Sequence, residues 1–454
     1  MAIVKKNQID MTQGPILSKI IMFTFPVLLT NLAQLLFHAT DLIVLGIFAK
    51  PEALAAVGAT NGLTVLVLNL FYGISSGVNV LVARYTGSKE PGKVAVTIHT
   101  AMAIAIYVGI AMAIFCIFMS RCFLQLMETP ENILNSATLY MWIYCAGMPF
   151  VVLFNFCAAI LRAIGDAKRP MIFIIVAGFV NVILNLIFVI VFKLDVAGVA
   201  LATKISNIVS AALVLWVLAK SKYPLKFVWQ KIAIQYQTLK EMLAIGLPSA
   251  VQGACYSFSN VIIQSSVNSL GWQIIAGNTA ASSLEGLVYV CSSSLFFTAI
   301  SFTGQNHGAK CYNRIIKVLF LCIACTIVVS LVSGGIILIF GKNLLGLYNN
   351  DAEVIQWGWV RLRLIIMTYG LCGVMDVISG VLRGLGHSIK PMIITIIGVC
   401  LFRILYVSEI FPRFKNLECL TLSYPISWII VIIANGLLLY FVLKKIMKKA
   451  SKKD

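Results

Sequence analysis

The chain is broken into apolar runs of about 20 to 28 residues, the length an α-helix needs to cross the hydrocarbon core of a bilayer. They dominate a chain of 454 residues that is 60% hydrophobic and 11% charged, with a mean hydropathy of +0.96. No water-soluble fold has enough interior for that much apolar surface, so lipid must be its solvent. In lipid every backbone N–H and C=O needs a partner within the chain, which leaves helices or a closed barrel. These runs do not alternate as barrel strands do. An all-α membrane protein is therefore predicted, with twelve transmembrane helices at about 18–45, 53–80, 94–120, 135–161, 170–192, 196–219, 241–268, 274–303, 315–341, 354–382, 391–411 and 421–443.

The spans repeat. Leu161-Arg162-Ala163-Ile164-Gly165-Asp166-Ala167-Lys168-Arg169-Pro170-Met171 returns 221 positions later as Leu382-Arg383-Gly384-Leu385-Gly386-His387-Ser388-Ile389-Lys390-Pro391-Met392. Gly87-Ser88-Lys89 matches Gly308-Ala309-Lys310 at the same offset, and Phe25-Pro26 and Leu247-Pro248 open the two halves. Six spans per half give the repeats one orientation, the parallel kind of duplication. The expected division is a six-helix half over 1–219, a cytoplasmic linker over 220–240, and a second half over 241–454 with a basic tail. In the repeated segment Gly165 and Gly386 are expected to end a helix, with Pro170 and Pro391 in the first turn of the next.

The formal charge of +19 does not read as a nucleic-acid surface, because no soluble domain carries it. Lys and Arg concentrate in alternate loops. With both termini in the cytoplasm, 25 of the 35 fall on the cytoplasmic side, including Lys5, Lys6 and six in the tail, which sets the orientation. The tail is expected to meet anionic lipid headgroups. Twelve cysteines scattered through the apolar runs read as small buried hydrophobes. The first run is too long for a cleaved signal and carries Asn31, Gln34, His38 and Asp41.

Polar residues within spans are costly and so are the functional candidates. Asp41 comes first, with His38 one turn earlier on the same helix face. A carboxylate at that depth is paired, protonated or in a water-filled cavity, unless it lies at the outer interface. Asn181 and Asn185 share a face in span 5, and Thr203 opens span 6. Oxygens from three helices suit a dehydrated Na⁺, a proton needs only the carboxylate, and interhelical hydrogen bonding alone is the structural alternative. Glu285 and Asp376 are the other deep acids, with Arg403 as a partner for one of them or as part of a cavity. Tyr256 and Tyr289 are further cavity candidates. No Walker A or HExxH sequence is present, the GxSxG match Gly73-Ile74-Ser75-Ser76-Gly77 lies inside an apolar span, and no enzyme or cofactor is expected.

Taken in order, Phe25-Pro26 with Asp41, the first copy of the repeated segment, Val196-Ala197-Gly198-Val199-Ala200-Leu201-Ala202-Thr203, Gly304-Gln305-Asn306-His307-Gly308-Ala309 and Leu382-Arg383-Gly384-Leu385-Gly386 resemble the MATE (multidrug and toxic compound extrusion) transporters. The likeness runs through nearly the whole chain. It implies two six-helix lobes around a central cavity, in a monomer of the plasma (inner) membrane that exports a cationic or amphipathic small molecule in exchange for H⁺ or Na⁺. It also implies a cation site at Asp41, Asn181, Asn185 and Thr203. Asn185 is a departure, an amide where that branch often has a second carboxylate, and leaves the coupling ion open. The span 7 acid of another branch is missing. A lipid-linked oligosaccharide flippase of the same superfamily is the alternative. One charge moving inward yields ~2.3 kcal/mol per 100 mV, enough for roughly 50-fold extrusion of a neutral solute.

Overall fold

A computed structural model describes residues 8–349 and 351–450, so Lys5, Lys6, Lys452 and Lys453 lie outside the described residues. The described chain folds into helices α1 (Ile16–Phe48), α2 (Pro51–Gly87), α3 (Pro91–Leu126), α4 (Glu131–Ala146), α5 (Met148–Ala163), α6 (Lys168–Leu186) and α7 (Asp195–Lys220). After the linker come α8 (Tyr236–Asn268), α9 (Trp272–Gly308), α10 (Tyr312–Gly346), α11 (Ala352–Gly384), α12 (Ile389–Thr395), α13 (Phe402–Glu409), α14 (Phe411–Phe414) and α15 (Leu417–Ala450). No strand occurs among the described residues. Large apolar side chains such as Phe118 (79% exposed) and Ile339 (77%) point outward, as a lipid solvent requires.

All twelve predicted segments are helical, but fewer than twelve qualify as spans by length and composition. Ten helices do so, and α4 and α5 add an eleventh if read as one span bent by 45°. The break follows from Gly147 and Pro149, the latter lacking the N–H that would continue the ladder. At this bend α3 comes close: a methyl group on Gly109 would lie 2.8 Å from Pro149 Cα. The twelfth segment, α8, is 33 residues long, but Pro248, Gln252 and Asn260 dilute its apolar character.

The repeated segment forms the same turn twice. Gly165 (φ 91°) and Gly386 (φ 88°) are left-handed, a conformation open to glycine at little cost. Asp166 N–H reaches Leu161 O at 2.9 Å, and His387 N–H reaches Leu382 O at 2.9 Å, which closes both helix ends with the same wide hydrogen bond. Pro170 and Pro391 each stand third in the following helix. The second matched pair behaves alike, with Lys89 (φ 57°) and Lys310 (φ 58°) both left-handed.

The fold divides into two compact units, and the division cuts two helices. The first unit holds Leu29–Gly246 with the described residues before Met11. Here α2 packs on α5, α3 on α4 and α5, and α6 on α7. The first turns of α8 press on α2 so closely that a methyl on Gly77 would lie 2.3 Å from Met242 O. The second unit holds Met11–Leu28 and the chain from Leu247 onward. Its core is α9, α10, α11 and α15, with Leu284, Val288, Ile365, Met375 and Trp428 buried together. In this unit Thr24 and Thr298 share a hydroxyl contact of 2.9 Å, and the Phe23 ring meets Phe302 edge-on.

Candidate functional site

The first unit encloses the Asp41 carboxylate of α1 in amides and a hydroxyl. On α1, Gln34, Phe37, His38 and Asp41 follow an i, i+3, i+4, i+7 stripe, so all four face the same way. Gly178 on α6 admits the Phe37 ring, which a methyl there would meet at 2.3 Å, and this close approach brings α1 against α6. Asp41 is 2% exposed. Asn185 Nδ2 donates to its Oδ1 at 2.7 Å, and Thr203 Oγ1 donates to its Oδ2 at 2.8 Å. Asn185 also donates to Asn181 Oδ1 at 3.1 Å, while Asn181 Nδ2 donates to Thr203 Oγ1 at 3.2 Å.

The structure therefore brings Asp41, Asn181, Asn185 and Thr203 into one buried network. Both carboxylate oxygens accept a hydrogen bond, the arrangement expected of an ionised acid. Asn185 Oδ1 is buried without a partner, an acceptor the protein itself leaves unmet. Beside the network lies a cavity of about 50 Å³, lined by Gln34, His38, Tyr72, Tyr144, Asn155 and Asn207 as well as Asp41 and Thr203. A polar cavity of that size holds a few waters or a partly hydrated ion. Immediately after Asn185 the helix runs on as a π-turn, Ile187–Val191, an irregularity common at functional sites.

Gln34, Tyr72, Tyr144 and Asn155 were not among the sequence candidates. Gln34 had a signal, its place on the Asp41 stripe; the other three come from helices whose facing is not readable from spacing alone. The fit of Phe37 into Gly178 carries a prediction. Gly178→Ala should push α1 off α6 and lower transport roughly tenfold, with yield and size-exclusion profile kept; full transport would mean that this contact does not set the site.

In the second unit the remaining candidates separate. Glu285 is paired with Arg361, not with Arg403: Arg361 Nε and Nη2 bind its two oxygens at 2.8 and 2.9 Å, and Nη1 reaches Asn278 Oδ1 at 2.6 Å. Arg361 was missed because it lies near the start of a span, where a snorkelling arginine is ordinary. Asp376 is half-buried, and Arg383, two turns further along α11, is the positive charge acting on it. The phenols of Tyr256 and Tyr289 lie within electrostatic range of Asp376, and Tyr256 contacts Met375 Sδ at 3.8 Å. Arg383 Nη2 also donates to Gln252 Oε1 at 2.7 Å, so an arginine of the repeated turn reaches into the unit. Arg403 pairs with neither acid; it donates to Ser427 Oγ at 3.1 Å and to Asn260 Oδ1 at 3.5 Å. No cluster of three metal-ligating side chains of the His, Cys, Asp or Glu type occurs among the described residues.

The duplicated polar architecture has counterparts. The MatE family model matches residues 26–187 and again 248–407, one match per repeat. The chain is 25% identical over 87% of its length and 88% of the relative's to the "Probable multidrug resistance protein YpnP" of Bacillus subtilis (strain 168). It is 22% identical to the "FAD transporter" of Shewanella oneidensis, covering 87% of each chain. Its fold is similar to the outward-facing conformation of a multidrug resistance MATE family transporter of the MOP superfamily, with a TM-score of 0.89 at 21% identity over 96% of this chain and 98% of that one. The chain belongs to the MatE family and is a multi-pass membrane transporter of the MATE type.

Proposed function

We propose that the protein is a secondary antiporter that exports small organic molecules by alternating access, driven by inward movement of H⁺ or Na⁺ through Asp41. The observation that carries this reading is the buried Asp41 network with the unmet oxygen of Asn185. A cation arriving from the cavity finds five side-chain oxygens on α1, α6 and α7, once Asn185 and Thr203 turn their donors away. A proton needs only one oxygen of Asp41 and displaces one of its two donors. Either event neutralises the carboxylate and loosens the hydrogen bonds that tie α1 to α6 and α7. Pro26, ten residues into α1, marks where that helix lacks a backbone donor and bends most easily.

The relatives' names cover multidrug resistance and FAD transport, which supports a small-molecule solute and leaves its class wide. We place the transporter in the plasma membrane with both termini cytoplasmic, on the distribution of Lys and Arg. No Walker A sequence is present, which supports an ion gradient as the energy source. Asn185→Asp separates the two ions. A second carboxylate strengthens Na⁺ binding through its added charge, so the Na⁺ concentration giving half-maximal export should fall on the order of tenfold. An unchanged Na⁺ response in vesicles, with a retained response to pH, would assign the site to the proton alone.

A further inference from the structure

The second unit holds a buried positive charge with no acid to balance it. Arg403 is 3% exposed and lies in the stretch Ile389–Phe414, which is long and apolar enough to cross a membrane. Its guanidinium is met by neutral groups only: Ser427 Oγ at 3.1 Å, Asn260 Oδ1 at 3.5 Å, and the face of Tyr424 at 4.2 Å from its centroid. Two of its five N–H groups are thereby used, and the others have no acceptor among the described residues. Of the deep acids of this unit, Glu285 is bound at both oxygens by Arg361, and Asp376 makes no ion pair with Arg403. No carboxylate among the described residues forms an ion pair with Arg403.

The surroundings hold this arginine in place. The turn before it is π-helical, Ile396–Leu401, and Gly398 within it lets α15 approach so closely that a methyl would lie 2.6 Å from Val431 Cγ2. That contact sets Ser427, one turn earlier on α15, and Tyr424 beside the guanidinium. Span 5 of each repeat is thus interrupted by a π-turn next to polar side chains of its unit, Asn181 and Asn185 before the turn in one and Arg403 after it in the other. A guanidinium on a residue only 3% exposed is costly to bury, and partial relief from a ring face and two neutral oxygens falls short of a counter-charge.

We infer that Arg403, with Asn260, Ser427 and Tyr424, forms an anion-binding site in the second unit. It takes a compact anionic group, either a small inorganic anion or the carboxylate of a transported solute. Arginine suits both, since its planar fork stays charged and offers paired donors. The site stands independently of the role proposed for Asp41.

The test uses the purified full-length protein in detergent, with its thermal midpoint followed as chloride or benzoate is added at fixed pH. A ligand that binds only the folded state raises the midpoint, here by about 2 °C or more at 100 mM anion. Arg403→Gln should lose that rise, and Arg403→Lys should retain part of it. A rise with chloride alone assigns an inorganic counter-ion; a rise with benzoate alone, or with both, assigns a site open to an organic carboxylate. An equal rise in Arg403→Gln, or none in the unaltered protein, overturns the proposal. Should Arg403→Gln fail to fold, iodide quenching of tryptophan fluorescence serves, since the Trp428 ring lies 6.1 Å from that of Tyr424. A saturable component displaced by chloride or benzoate supports the site, and purely linear quenching rejects it.

Discussion

Asp41→Asn is expected to abolish ion-driven export while leaving the protein folded. The substitution keeps the size of the side chain and turns an amide N–H toward Thr203 Oγ1, which then accepts instead of donating, yet removes the only charge in the network. Asn185 Nδ2, which now donates to Asp41 Oδ1 at 2.7 Å, can still face the oxygen of an amide. The packing of α1 on α6 through Phe37 and Gly178 is untouched. Uncharged, the site neither binds a proton near neutral pH nor holds Na⁺, so the gradient loses its handle on the conformational equilibrium. Export driven by an imposed gradient should fall at least about 100-fold, a loss of ~2.7 kcal/mol in coupling. Yield, monodispersity and thermal midpoint should stay near those of the unaltered protein. Normal gradient-driven export by this variant would remove Asp41 from the coupling scheme.

Arg361→Met should be the most destabilising single change in the second unit. It leaves Glu285, buried and formerly bound at both oxygens, without a counter-charge, and it strips Asn278 Oδ1 of its donor. Breaking a buried pair from one side costs about 3–5 kcal/mol, mostly because the surviving charge is stranded. Replacing both members by apolar residues is far milder, so Glu285→Leu with Arg361→Met should recover most of the lost thermal stability. The pair of variants also assigns Glu285 its role. If it serves as a structural clamp between α9 and α11, the double variant transports; if it contacts the solute, the double variant is stable but inactive. The bidentate geometry favours the clamp.

The legible parts of this molecule were those written in local periodicity. Apolar run length placed the helical segments but not their internal breaks, because in lipid there is no other way to satisfy the backbone. The eleven-residue repeat predicted two equivalent helix ends, and left-handed Gly165 and Gly386 close them with the same hydrogen bonds. The Asp41 network was anticipated through family resemblance and helical spacing together. Long-range pairing was less legible. Arg361 lies 76 positions from Glu285, and no spacing rule joins two residues across that distance, so Arg403 stood in as the partner. The bend in the fourth span was written as Gly147-Met148-Pro149, but a continuous apolar run masked it. The inward reach of Arg361 and Arg383 was not legible for the same reason: both lie near span ends, whereas each binds a side chain within its own unit.

The central claim is that a cation gradient acting through Asp41 powers transport. Its most direct measurement is export of a fluorescent organic cation by the purified protein reconstituted in vesicles, under an imposed pH gradient and, separately, an imposed Na⁺ gradient. The account predicts concentrative transport under at least one of them, collapse on addition of the matching ionophore, and none in Asp41→Asn vesicles under either. Equal transport by both proteins, or concentrative transport with no gradient imposed, would contradict it.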